Sequence, residues 1–96
     1  MTVQELRSNG YKVRVSHFRR VGKKLMSRRD FEESGFGDVW GDVIQPFGGM
    51  TLIEVTDPNG ITVESKALCQ SEENYNKRIG VSIALGRALK RLKETI

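Results

Sequence analysis

Hydrophobic and polar positions follow two different periods along the chain. In YKVRVSHF, residues 11–18, Tyr11, Val13, Val15 and His17 alternate with Lys12, Arg14, Ser16 and Phe18. That period of two predicts a half-buried strand with one apolar face. In MTLIEVTDPNGITVESKALC, residues 50–69, two β-rich runs flank Asp57-Pro58-Asn59-Gly60. Asn-Gly between such runs is a strong short-range hairpin signal. Residues 2–9 read as a short helix stopped by Gly10, and SRRDFEESG as a second one between Ser27 and Gly35. RRVGKKLMSRR reads as a turn or flexible loop, and the Gly-rich stretch around residues 36–49 as a long loop that could cover a ligand. From Ser71, read as an N-cap, the helical period takes over to the end of the chain. The expected order is α-β-α-β-β-α. It predicts an α+β fold in a single domain over residues 1–96, with a small three-stranded antiparallel sheet packed against an N-terminal and a long C-terminal helix.

The last helix carries two apolar stripes. At about 100° per residue, Val81, Leu85, Ala88, Leu89, Leu92 and Ile96 share one arc, which is expected to face the sheet. Tyr75, Ile79 and Ile83 fall on a second arc that includes Gly86, bordered by Arg87, Lys90 and Arg91. One core cannot use both stripes. Either a second subunit covers the second one, or the central loop does, through Phe36, Val39, Trp40 and Phe47. A 96-residue domain buries a modest share of its surface and gains from oligomerisation, which favours the subunit. Tyr75, Ile79, Ile83 and Gly86 are thus the expected oligomer interface. Glycine within a helix costs about 1 kcal/mol relative to alanine. Gly86 would allow a close approach by another backbone, and Gly80, placed on the polar side, would make room for a ligand.

Composition narrows the function classes. No apolar run approaches the roughly 18 residues of a membrane span, and MTVQELRSNG lacks a signal-like apolar stretch, so the expectation is a cytoplasmic protein that does not engage a membrane. The single cysteine, Cys69, excludes an internal disulfide and a Cys-rich zinc site. Net charge is +4, unevenly spread. Residues 7–29 hold nine Lys/Arg and no acid, residues 30–73 hold ten Asp/Glu and one base, and residues 74–96 hold six bases and one acid. If the two basic ends meet, they form a locus suited to phosphate.

Catalytic chemistry finds little support. His17 is the single histidine and sits on the apolar face of its strand, a core or interface position more than a catalytic one. No nucleophile–base pairing, metal-ligand spacing or phosphate-loop fingerprint is present, so no enzyme activity, metal or cofactor is expected. Binding remains. Arg14, Arg19, Arg20 and Arg28 belong to the first basic cluster, and Asn74, Asn76, Lys77, Arg78, Arg87 and Arg91 to the last segment. Arginine forks suit bidentate phosphate recognition, and Asn can read a base edge. Trp40, Phe47 and other aromatics offer stacking surfaces. The combination points to a nucleotide-like anion.

Three stretches, NGYKVRVSHFRRV, GGMTLIEVTDPNG and NYNKRIGVSIALGRALKRL, make the chain resemble the first type of phage anti-Thoeris protein. These are small sponges that sequester cyclic nucleotide immune signals. The resemblance covers most of the chain apart from the central loop. It implies binding without cleavage of cyclic ADP-ribose isomers, and of cyclic oligonucleotides in some members, in the cytoplasm of an infected bacterium. It also implies a homo-oligomer, a dimer or a larger assembly such as a hexamer, with pockets between subunits. By that resemblance Arg87 and Arg91 in GRALKR, with Asn74 and Asn76 in NYNKR, are expected to contact phosphate and ribose, beside the basic first strand and loop. A ring of the central loop would stack on the base.

Two other readings compete. The order α-β-β-β-α looks like a double-stranded RNA-binding domain, but Glu72 and Glu73 stand where that family places bases at the start of its last helix. The other is a small non-catalytic inhibitor of a host enzyme, which would cover the second stripe with a foreign protein.

Overall fold

The computed structural model describes residues 2–35 and 40–95. Phe36, Val39 and Ile96, named above as loop and helix positions, lie outside them. Helix α1 (Val3–Ser8) is capped by Thr2, whose hydroxyl accepts the Glu5 N–H at 3.1 Å. Strand β1 (Lys12–Val21) turns back into β2 (Lys24–Ser27), which leads into α2 (Arg28–Glu33). A single turn, α3 (Trp40–Val43), precedes β3 (Phe47–Thr56), β4 (Thr62–Asn74) and the 19-residue α4 (Lys77–Thr95).

The sheet is antiparallel with order β2-β1-β3-β4. It has four strands where three were expected. The extra pair comes from RRVGKKLMSRR, expected as a loop: Val21 pairs with Lys24 across Gly22-Lys23, and Gly22 takes φ 63°. A two-residue loop opening on a positive-φ glycine matches the twist of a hairpin. Four bases in residues 19–24 hide the alternation that Val21, Leu25 and Met26 continue. The second hairpin forms as expected. Asp57 Oδ1 accepts the N–H groups of Asn59 and Ile61 at 3.0 and 2.8 Å, closing the loop between Thr56 and Thr62.

The core lies on one face of this sheet. Val13 and Val15 of β1, Thr51, Ile53 and Val55 of β3 and Ser65 and Ala67 of β4 point to it. Leu6 of α1 and Ala84, Leu85, Ala88 and Leu92 of α4 close over it. The expected sheet-facing arc therefore holds for Leu85, Ala88 and Leu92, with Val81 and Leu89 partly buried beside them. The helix begins at Lys77, later than the expected Ser71. β4 runs on to Asn74, which pairs with Phe47, and the Asn76 side chain caps the helix by accepting the Ile79 N–H at 3.1 Å.

Gly80 is not on the polar side. It faces the sheet, and a Cβ built there would collide with Thr51 Oγ1 and stand 3.1 Å from Thr51 Cβ. With Ala84 and Ala88, both fully buried, it forms an i, i+4 row of small residues along which the helix lies close to the strands. Gly86, by contrast, meets nothing within 4 Å. The two glycines should answer alanine with opposite signs. Gly86→Ala is expected to gain about 0.5–1 kcal/mol from helix propensity. Gly80→Ala should lose about 1 kcal/mol or more, because overpacking of about 1–3 kcal/mol outweighs the same gain. Urea midpoints at unchanged m, taken where the chain is unassociated, check both signs.

Candidate functional site

Residues from four elements converge where α4 begins over the upper end of the sheet. Tyr75, in the link between β4 and α4, folds inward. Its hydroxyl donates to the Met50 carbonyl at 3.2 Å and lies 2.6 Å from His17 Nδ1 and 2.9 Å from Thr51 Oγ1. His17 Nδ1 is also 3.2 Å from Thr51 Oγ1. The ring of Tyr75 rests against Gly49, where a Cβ would stand 2.6 Å from the ring, and the rings of His17 and Tyr75 meet edge-on at 6.1 Å. The Arg19 guanidinium packs over the Tyr75 ring with Cζ 4.5 Å from its centroid.

These contacts follow from strand register. His17 pairs with Thr51, and Arg19 extends the same inward-facing set at the end of β1. The Tyr75 N–H is fixed by the Pro46 carbonyl at 2.9 Å. Burial pushes the His17 imidazole below its ordinary value, and the charges of Lys77 and Arg19 push it the same way. Burial raises the Tyr75 phenol. The Thr51 hydrogen bond and the Arg19 charge oppose that rise, and Cys69 adds to it.

Among the described residues neither Arg19 nor Lys77 forms a salt bridge, and the carboxylate nearest in sequence, Glu73, lines the neighbouring groove. Among the described residues the salt bridges are Arg28–Glu32 and Arg29–Glu33, both 3.1 Å, exposed and one helical turn apart, of a kind that contributes little. Arg19 donates through Nη2 to the Gln45 carbonyl at 3.2 Å, but its Nε is buried without a partner. Arg20 Nε is likewise buried and unpartnered, its side chain lying across Gly48 on the other face of the sheet.

A groove of about 120 Å³ opens beside this cluster. Glu73, Asn74, Tyr75, Asn76 and Gly80 line it together with Ala67, Leu68, Cys69, Ile79 and Ile83. Leu68, Ile79 and Ile83 are 67%, 57% and 44% exposed. The second stripe of the helix is therefore bare on the single chain, apart from Tyr75, which has turned into the fold.

Of the residues singled out in the sequence, the fold brings together Arg19, Asn74, Asn76 and Lys77, with Phe47 opposite Asn74 and 46% exposed. It sends others elsewhere. Arg14 lies on the outer face of β1 opposite Glu54, and Arg28 is held by Glu32. Trp40 packs on the buried Phe31 with ring centroids 5.3 Å apart, so this ring serves packing. Arg78 borders α1 beside Thr2, Val3 and Gln4. Arg87 and Arg91 sit about 15 and 21 Å down the axis of α4 from Lys77, where their Nη1 atoms donate to the Lys66 and Glu64 carbonyls at 2.8 and 2.6 Å. They do not share a site with Asn74 and Asn76, as had been expected.

Sequence reasoning missed His17 and Thr51 as members of the cluster. The available signal was the alternation itself, which puts His17 and Arg19 on one face. No known protein family, curated protein or solved structure matches the chain.

Proposed function

We propose that this chain is a sequestering protein, one that assembles with copies of itself and holds a cyclic-nucleotide-like anion between them without cleaving it. One observation carries the reading. The groove beside Arg19 and Lys77 offers about 120 Å³, whereas a nucleotide-sized ligand needs a few hundred at least. Its open side is the exposed surface of Leu68, Ile79 and Ile83. A second copy laid on that surface would bury the apolar groups and enlarge the pocket in one step. The resemblance to phage anti-Thoeris sponges points the same way, toward cyclic ADP-ribose isomers or cyclic oligonucleotides as the ligand.

Native mass spectrometry of the purified protein, alone and with a panel of cyclic ADP-ribose isomers and cyclic oligonucleotides, tests this directly. The expected spectrum shows an oligomer that gains the mass of an intact ligand at a whole-number ratio to subunits, with the ligand recovered unchanged. A monomer that takes up nothing from the panel would overturn the proposal and turn attention to duplex RNA or a protein partner.

A further inference from the structure

Two cations, Arg19 and Lys77, act on the cluster around Tyr75, and neither forms a salt bridge among the described residues. The phenol donates to the Met50 carbonyl, so its oxygen is free to accept from His17 Nδ1–H at 2.6 Å. That arrangement satisfies both groups and fixes the neutral imidazole in the Nδ1–H form. Among the described residues Nε2 has no hydrogen-bond partner. It is the atom that gains the proton when His17 becomes charged, and the proton arrives as a new donor.

The charged groups that reach His17 are Arg19 from β1 and Lys77 from the start of α4. β3 contributes the neutral Thr51, and the Tyr75 phenol and, behind it, the Cys69 thiol complete the neighbourhood. The charges that act on His17 are positive, and the carboxylate on this side, the exposed Glu73 of β4, lines the groove beyond Tyr75 and Asn76 without bridging to either cation. Two cations beside a neutral imidazole, with no salt bridge among the described residues, disfavour a third charge in the free protein and favour it around an oxyanion.

We infer that Arg19, Lys77 and the Nε2 edge of His17 form a subsite for one phosphate group of a phosphate ester, with Tyr75 positioning both Arg19 and His17. The Tyr75 ring carries the guanidinium at 4.5 Å, and its hydroxyl aims the imidazole. This deepens the sequestration reading and rests on it for the remainder of the ligand.

An anion in the subsite favours charged His17, so its pKa rises from the lowered value of the free protein. Affinity then grows as pH falls: the added stabilisation is complete below the pKa of the free protein and is lost as pH rises through that of the complex. A rise of about one unit corresponds to about tenfold tighter binding to the charged form.

The chain has a single histidine, which makes its imidazole proton signals an unambiguous reporter. The experiment titrates the full chain by proton NMR with and without sulfate or dimethyl phosphate, neither of which changes charge where histidine titrates. The expected result is a His17 pKa higher by about one unit with either anion. The rise should vanish in Arg19→Gln, weaken in the exposed Lys77→Gln and shrink in Tyr75→Phe, which keeps the ring but loses the hydroxyl. An unmoved His17 pKa at saturating anion overturns the subsite, as does a rise that Lys77→Gln and Arg19→Gln leave intact in folded protein. The two readings separate cleanly. Capture of a cyclic nucleotide with His17 unmoved rejects the subsite and keeps sequestration. A response to sulfate with no cyclic nucleotide bound does the reverse.

Discussion

Gly49→Val is expected to destabilise the protein by about 3 kcal/mol or more, which for a domain of this size lowers Tm by more than about 10 °C. Two causes add. Gly49 sits at φ 122°, a conformation that costs a β-branched residue about 1–3 kcal/mol. A Cβ there would also stand 2.6 Å from the Tyr75 ring and 2.9 Å from the Phe18 carbonyl oxygen, overpacking worth a further 1–3 kcal/mol or so. Thermal unfolding followed by circular dichroism checks the total. A double-mutant cycle separates the causes: in a Tyr75→Ala background Gly49→Val should recover the part due to the ring, while the part due to backbone and carbonyl persists. A Tm within about 3 °C of the parent would mean that Tyr75 is not seated on Gly49, and the cluster built on it would fall with it.

On the proposed assembly, replacing Ile79 and Ile83 together by Asp should abolish self-association while leaving the fold of each chain intact. Both side chains are about half exposed on the single chain, so two carboxylates there meet water and cost little. In an interface the same groups would be desolvated without partners, at several kcal/mol each. The dissociation constant should therefore rise by more than about a hundredfold. Sedimentation of the variant is expected to give monomer where the parent gives an oligomer, with cyclic nucleotide capture lost in parallel and an unchanged circular dichroism spectrum. Assembly of the variant like that of the parent would move the interface off this stripe.

The elements that read correctly from sequence are those where size and polarity agree. Alternation through Val13 and Val15 fixed β1, and Asn59-Gly60 between β-rich runs fixed the second hairpin. β2 escaped because its hydrophobic positions, Leu25 and Met26, stand among Lys23, Lys24, Arg28 and Arg29, and charge density at a hairpin tip looks like a loop. The misplacement of Gly80 has a more general cause. Large aliphatic residues mark where a helix has room to fill, whereas small ones mark where it comes nearest its neighbour. Weighting the arc by Val81, Leu85 and Leu89 kept Ala88 on the expected face but left Gly80 and Ala84 off it, although the three form the line of closest approach. The candidate site was half legible. Arg19, Asn74, Asn76 and Lys77 could be nominated by chemistry. Their meeting with His17 and Thr51 depended on the inward fold of Tyr75, which no periodicity encodes because Tyr75 belongs to neither strand nor helix.

The hold of Arg87 and Arg91 on the Lys66 and Glu64 carbonyls bears on edge-to-edge strand addition. β4 is the last strand on its side of the sheet, and a bare row of carbonyls along such an edge is a template on which another strand can add, and another after it. Two guanidinium groups lie across that row, carried there by a helix whose packing against the core keeps them in place. The guard is therefore only as durable as the C-terminal turns of α4. Fraying beyond Ala84 would release both arginines and open the edge together, so the solubility of the sheet is tied to the last turns of the chain's longest helix.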